Sequence, residues 1–280
     1  MVESYHSKSA MYLLREYKLG GRNEEVADGQ SDLEYLVDWN KAILPQVANL
    51  GVRYNEWVSA PVDRQLRLFE SRFLEILTIT PWYIVPIFWT PIIIYFMYSG
   101  IDHFTSSRPG SLVSDLYLLP VILSVLLGVV VWTLLEYSLH RWVFHMEPSG
   151  DSKLFIYIHF AIHGLHHKVP FDSRRLVFPP FPAAIIASFA YMLYSYIFPA
   201  FMLDLVTAGS MSGYVIYDMI HFYLHYGAPK ENTYLYTMKR YHNQHHFSHS
   251  ESGFGISSLY WDKIFGTAIH LRKLAVGIKW

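Results

Sequence analysis

The chain contains no cysteine, which excludes disulfides, thiolate metal sites and a cysteine nucleophile together and leaves the redox compartment unread. Charge is the second shortage: Asp, Glu, Lys and Arg make up 16% of the 280 residues, against about a quarter in an average soluble domain. With 22 basic residues against 23 acidic ones, no basic excess exists to neutralise phosphates, so nucleic acid is not an expected partner. The first 30 residues carry Arg15, Lys18, Glu24 and Glu25 without an apolar core, and no cleavable signal peptide is visible there. Neither an internal repeat nor a long low-complexity segment occurs. His-Glu-x-x-His is missing, and no Glu-x-x-His pair falls among the grouped histidines described below, so the usual zinc-protease and carboxylate di-iron motifs are not there.

What is present is apolar: 52% of residues are hydrophobic and 17% aromatic, gathered into long runs. No charged residue interrupts Ile76 to Ile101, Leu116 to Leu135 or Leu176 to Leu203, the last with Phe181 to Leu203 as its membrane part. About 20 apolar residues in a helix cross the roughly 30 Å hydrocarbon layer. A fourth run, Leu205 to about Leu224, is broken near its end by Asp218 and His221. The expected fold is therefore an all-α integral membrane protein with four transmembrane helices in two hairpins, joined by loops at about 100–115 and near Asp204. Of the 22 Lys and Arg, only Arg108 falls in those loops, so the positive-inside rule puts the opposite ends of the hairpins in the cytosol. Prolines in the first run are expected to kink it, a feature that membrane helices tolerate.

Residues 1–30 are expected to be a linker or a truncated N-terminal region, 31–75 amphipathic cytosolic helices, and 76–280 the membrane domain with a cytosolic helical cap. Leu33, Leu36, Val37, Ile43, Leu44 and Val47 recur at helical intervals, predicting a helix around Asp32 to Gly51 that lies on the membrane surface or packs on the cap. Arg174 and Arg175 are expected to anchor the bilayer edge or touch a lipid headgroup.

Thirteen of the 15 histidines lie between residues 140 and 270. Ten of them form four groups: His140 and His145; His163, His166 and His167; His221 and His225; His242, His245 and His246. Each group falls on the expected cytosolic side. Residues three and four apart share a helix face, so His163-x-x-His166-His167, His221-x-x-x-His225 and His242-x-x-His245-His246 can each converge on one centre. His140 and His145, five apart, do not share a face on an ideal helix, so one is expected to leave the helix end. Ten imidazoles exceed the needs of one ion of four to six ligands and suit two ions of about five each, which predicts a histidine-rich dimetal site. Imidazole binds zinc, copper, iron and nickel, so ligand type alone does not name the metal.

His6, His103 and His270 are expected to be ordinary surface or core residues. His159 and His249 are candidates for an additional ligand, a supporting hydrogen-bond donor or a substrate contact. Glu136, four before His140, and Asp218, three before His221, are placed to accept a ring N–H and fix the tautomer. Tyr214, Tyr217 and Phe222 are candidates to line the route of a lipid chain.

At these residues the sequence resembles the membrane fatty acid hydroxylase superfamily, and within it the sphingolipid fatty acid 2-hydroxylases of the fungal type. The segment His159-Phe-Ala-Ile-His-Gly-Leu-His-His-Lys-Val-Pro-Phe-Asp-Ser-Arg-Arg-Leu-Val-Phe-Pro-Pro180 carries the likeness. So do His140-Arg-Trp-Val-Phe-His145, Tyr217-Asp-Met-Ile-His221 with His225, and Tyr241-His-Asn-Gln-His-His246. Outside the boxes, Pro61-Val-Asp-Arg-Gln-Leu-Arg-Leu-Phe-Glu70 and Trp261-Asp-Lys-Ile-Phe-Gly-Thr267 are similar too, and the likeness runs over roughly residues 30 to 280. The resemblance implies an O2-dependent di-iron monooxygenase of the endoplasmic reticulum membrane that hydroxylates C2 of long acyl chains of ceramide-type lipids. It also implies that the ten grouped histidines hold iron, with zinc able to replace it in purified protein. Fungal and animal relatives usually carry an N-terminal cytochrome b5 domain, whose haem motif His-Pro-Gly-Gly does not occur here. Electrons are therefore expected from a separate cytochrome b5 and its reductase. Two other readings stay open at this point: a sterol or acyl-lipid desaturase or oxidase with the same boxes, and a histidine-rich metal transporter or sensor.

Overall fold

The computed structural model describes residues 33–106, 118–273 and 280; the expected linker at 1–30, Arg108 and most of the first hairpin loop lie outside them. Among the described residues every regular element is helical. Short helices come first: α1 (Leu44–Val47), α2 (Tyr54–Val58) and α3 (Arg72–Leu77). Long helices follow, α4 (Ile84–Ser106) and α5 (Leu118–Ser138), the latter continuing as a π-helical turn over Leu139–Phe144. Next come α6 (Lys153–His159), a second π turn (Phe160–Gly164) and α7 (Leu165–Lys168). The chain ends with α8 (Pro180–Ile197), α9 (Ala200–Tyr226), α10 (Tyr234–Phe247) and α11 (Tyr260–Phe265).

The continuous helix expected around Asp32 to Gly51 does not form. Gln46 folds back and closes residues 38–46 into a loop, its Nε2 donating to the carbonyls of Asp38 (3.0 Å) and Ala42 (2.9 Å) while its Oε1 accepts from Asp38 N–H (2.7 Å). Pro45 sits in the first turn of α1, the position its missing N–H tolerates. The N–H groups of Ile43 and Leu44 bond across to the carbonyls of Arg67 and Leu68, at 2.8 and 3.2 Å. The apolar residues still share one surface. Leu33, Val37, Ile43, Val47, Tyr54, Trp57, Leu66 and Leu68 bury themselves against Ile156, Phe160, Leu165 and Val169, the stretch that carries the second histidine group. Each such side chain contributes about 1.5–3 kcal/mol when fully buried, so this packing is what fixes α6 and α7.

Among the described residues, three helices are long and apolar enough to cross a membrane: Ile84–Ser106, Leu118–Phe144 and Pro180–Ile197. Their outer faces display Ile87, Phe88, Ile94, Leu119, Leu123, Leu126, Phe181, Ile185 and Phe189. The first starts later than the uncharged run predicts. Residues from Thr78 to Tyr83 are non-helical, with Thr80 N–H bonded to Arg174 O at 2.7 Å, and Pro86 falls in the first helical turn, leaving Pro91 inside the helix. Arg175 does not face the bilayer edge as expected: its side chain is buried and pairs with Asp172 at 2.7 Å and with Glu75, tying the 172–175 loop to α3.

The fourth apolar run forms α9, a helix of 27 residues that lies along both α4 and α5. Its centre is enclosed rather than outward-facing, with Leu205, Val206, Ala208 and Gly209 buried, so its sequence need not be uniformly apolar. The α5–α9 contact depends on small residues. A Cβ on Gly128 would stand 2.1 Å from Val206 O, and one on Gly209 2.0 Å from Val125 O, so the two backbones touch where neither residue has a side chain. The turn between α8 and α9 is Phe198–Pro199, not the neighbourhood of Asp204. Asp204 instead lies inside α9, where it accepts from Ser99 Oγ (2.6 Å) and Tyr191 OH (3.3 Å).

Candidate metal centre

The ten grouped histidines meet at one end of the long helices, in two sets of five. His140, His145, His163, His167 and His245 form one set, His166, His221, His225, His242 and His246 the other, and within each set one nitrogen per ring lies within 4.8 Å of all the others. The sets abut, the His167 and His246 ring centroids being 4.3 Å apart.

Local backbone geometry decides which ring joins which set. In the π turn after α5 the His145 N–H bonds to His140 O at 3.0 Å, an i to i+5 bond that puts residues five apart on one face. His140 and His145 therefore point together, where an ideal helix would separate them. Along the π turn at Phe160–Gly164 with α7, and along α10, each residue advances by roughly 100°. His163 and His167 fall on one side, and His166 turns to the other set; His242 and His246 fall on one side, and His245 turns away. Each His-x-x-His-His box is thus shared between the sets rather than converging on one centre.

Ring nitrogens face each other at short range. His163 Nε2 is 3.1 Å from His140 Nε2, 3.1 Å from His145 Nε2 and 3.0 Å from His167 Nε2. In the other set His221 and His166 are 3.0 Å apart through Nε2, His225 and His242 2.8 Å, and His246 and His242 3.0 Å. One proton cannot satisfy three facing nitrogens. Protonating more rings is no remedy, because burial first, and the neighbouring imidazoles after it, hold His145, His163, His166, His167, His242 and His246 well below the ordinary histidine range. Burial likewise pushes His245 down to about 4. Its Nδ1 donates to Ser252 O at 2.7 Å, leaving Nε2 a buried lone pair with no protein partner. His140 Nδ1 donates to Phe254 O at 2.5 Å, which turns its Nε2 lone pair inward as well. Nitrogens bound to a common ion at 2.0–2.1 Å stand about 3 Å from each other, so a divalent cation in each set would convert these facing lone pairs into ligands. The residues present fit two ions.

The remaining candidates fall elsewhere. His159 is outside both sets, its Nδ1 2.6 Å from Tyr54 OH, and burial pushes its pKa down to about 4. His249 is exposed in the turn after α10. Glu136 does not accept a ring N–H: Oε1 accepts from Ile256 N (2.9 Å) and Ser257 N (2.7 Å), and Oε2 from Ser257 Oγ. Asp218 accepts from Phe178 N (3.3 Å) and Tyr214 OH (3.4 Å) rather than from His221. Two buried lysines, not singled out by the sequence, brace the boxes. Lys168 Nζ, next to His167, bonds to Glu34 Oε1 (2.7 Å), Trp57 O (2.9 Å) and Ala60 O (2.6 Å). Lys239, three before His242, bonds to the carbonyls of Leu224 (2.7 Å) and His225 (3.1 Å), satisfying the C-terminal end of α9.

A cavity of about 200 Å³ opens beside the rings between α4, α5, α8 and α9. Trp89, Trp132, Leu139, Phe144, Phe178 and Tyr214 are among its walls, and Tyr217 is another. Phe144 stacks on His163 (5.2 Å between centroids) and Tyr217 on His221 (6.0 Å), so one aromatic layer separates the cavity from each set of rings. Phe222 is not in the wall; it stacks on Tyr226 and packs near Trp82.

The fatty acid hydroxylase family model matches residues 125–267, slightly more than half of the chain. The chain belongs to the fatty acid hydroxylase family. It is 45% identical over 253 residues to the fatty acid 2-hydroxylase of Rattus norvegicus, covering 88% of this chain and 67% of that one. A dihydroceramide fatty acyl 2-hydroxylase of Arabidopsis thaliana is 40% identical over 244 residues, covering 86% of this chain and 97% of that one. The solved structure of full-length scs7p, in which only the hydroxylase domain is visible, superimposes with a TM-score of 0.73 at 31% identity over 86% of this chain and 89% of that one. Identity to the rat protein exceeds that to scs7p. The chain spans about two thirds of the length of the rat relative.

Proposed function

We propose that this chain hydroxylates C2 of the long acyl chain of a ceramide-type lipid. The observation that carries the proposal is the pair of abutting five-histidine sets at the end of an apolar cavity. Relatives named fatty acid 2-hydroxylase and dihydroceramide fatty acyl 2-hydroxylase support the position attacked and the class of substrate. Converting a C–H and O2 into C–OH and water takes two electrons and two protons, so a reductant is required; cytochrome b5 with its reductase fills that role in this reading. The ten histidines hold two iron ions, which when bound supply reductive activation of O2 strong enough for an unactivated C–H bond. Zinc in purified protein would occupy the same nitrogens without that chemistry.

The chain's own residues supply placement. Trp89, Trp132, Phe178 and Tyr214 give an acyl chain a dry, rigid channel leading to the rings, and Phe144 and Tyr217 stand where its C1–C2 end must arrive. These apolar walls would exclude water from the place where that end of the chain arrives. In this reading α9 is the fourth span, the helices pair as two hairpins, and the histidines sit in a cytosolic cap formed with residues 31–75, in the endoplasmic reticulum membrane. Residues 76–280 then make up the hydroxylase domain.

Lipid mass spectrometry of cells with and without the gene tests the proposal. A gain of 2-hydroxy acyl sphingolipids is the expected result. A new double bond or an oxidised methyl group would replace it with a desaturase or sterol-oxidase activity, and metal flux into liposomes without oxygen consumption would make the protein a transporter.

A further inference from the structure

The loop at residues 252–257 reaches the first histidine set twice. Its Ser252 carbonyl accepts from His245 Nδ1 (2.7 Å) and its Phe254 carbonyl from His140 Nδ1 (2.5 Å). Two carboxylates in turn hold the loop by consecutive N–H groups. Glu136 takes the N–H groups of Ile256 and Ser257 and the Ser257 hydroxyl, and Asp262 takes the N–H groups of Phe254 (2.9 Å) and Gly255 (2.8 Å). Asp262 is itself tied to Thr267 Oγ1 at 2.8 Å, and Thr267 to Tyr137 OH at 2.9 Å on the same helix as Glu136. Four consecutive N–H groups, 254 to 257, are therefore consumed by two acids, which leaves the loop a single backbone path and aims two of its carbonyls at rings of one set. In the second set one ring, His225, bonds to the Pro170 backbone, but among the described residues no pair of carboxylates clamps the loop behind it, and the Nδ1 atoms of His242 and His246 are buried without a protein partner.

We propose that Glu136 and Asp262 are positioning residues for one of the two ion sites, acting through the 252–257 loop to fix the tautomer and orientation of His140 and His245, so that the two ions are held unequally. A carbonyl that accepts the outer ring N–H both orients a ligand and raises its basicity. Loss of the clamp should therefore weaken the set that contains His140 and His245 and spare the other. This inference rests on the two-ion reading of the site.

The test uses the full chain purified in detergent, loaded with Zn2+, dialysed against a chelator, and assayed for zinc per chain. Wild type is expected to keep about two ions, Glu136→Ala about one, and Glu136→Gln, which retains an oxygen for both N–H groups, about two. Combining Glu136→Ala with His163→Ala should cost no second ion, because both act on one set. Combining it with His242→Ala should bring the count close to zero. Ser257→Ala, which removes only the hydroxyl contact, covers the case in which Glu136→Ala fails to fold and should release one of the two ions faster, by about 10-fold or more. Asp262→Asn should behave in the same direction as Glu136→Ala. Overturning results are a Glu136→Ala protein that keeps both ions or loses both together, a Glu136→Gln protein as depleted as Glu136→Ala, or a Ser257→Ala protein with wild-type release. Retained ions with lost activity would likewise overturn it, giving Glu136, which also lines the cavity, a role toward substrate instead. A wild type that holds no zinc would sink the metal reading itself, which is a distinguishable failure.

Discussion

At the scale of single residues, the centre is a problem of lone pairs. His163 Nε2 faces three other ring nitrogens at 3.0–3.1 Å, more than its one possible proton can satisfy. Replacing His163 with Ala is expected to lower bound metal from about two ions per chain toward one and to reduce hydroxylation by more than about 100-fold, with helix content kept; metal analysis, circular dichroism and product analysis check this. His159 and His245 give a pH prediction with a definite sign. Burial holds both at about 4, while a histidine in the unfolded chain titrates near 6.5. The unfolded state therefore binds protons first as pH falls. Stability of the metal-free protein should be full above about pH 6.5 and decline progressively down to about pH 4, below which these two groups change it no further. Melting temperatures of chelated protein between pH 8 and 4 measure it. A metal-loaded sample should resist acid further into that window and then lose ions and stability together, because protons compete with the metal for the same nitrogens.

At the scale of elements, two π turns and one glycine contact do most of the placing. The π turn at Leu139–Phe144 puts His140 and His145 on one face, and the turn at Phe160–Gly164 contains His163 and leads into α7, which carries His166 and His167. Without them the rings of the first set would start from different angles. The α5–α9 contact fixes the distance between the helix that carries His140 and the one that carries His221 and His225. Gly209→Val is expected to destabilise the protein by about 1–3 kcal/mol, since a side chain there meets Val125 O and the helices must part. A lower melting temperature accompanied by faster zinc loss to a chelator would show that the strain reaches the centre, whereas unchanged melting would show that the helices separate freely.

At the scale of the whole molecule, the arrangement couples an apolar cavity to a polar nest of imidazoles. Protein purified with zinc is expected to be inactive, and exchange to ferrous iron under reducing conditions with cytochrome b5 present to restore 2-hydroxylation; recovery by zinc alone would refute iron dependence. Narrowing the cavity by Ala187→Phe should lower activity toward the longest acyl chains most while leaving metal content at the wild-type level, a split that lipid profiling and metal analysis read separately.

Much of this was legible in one dimension. Three membrane-length helices follow from uncharged runs, because burying charge in hydrocarbon is too costly for the pattern to hide. The four histidine groups and the idea of two ions follow from number and spacing, since imidazoles in such numbers beside apolar helices need a ligand to share. Other features were decided only by the tertiary structure. Which ring joins which set depends on π turns and on helix crossings, and neither has a hydropathy signature. Glu136 and Asp218 stand at ligand-supporting intervals along their helices, yet their oxygens go to backbone N–H groups that arrive from distant loops. The one helix predicted around Asp32 to Gly51 gives way to shorter turns because Ile43 and Leu44 find backbone partners at Arg67 and Leu68 instead of local ones. Periodicity records which residues must be buried or exposed, whereas partners far apart along the chain are chosen by packing, and packing exists only once the chain has folded.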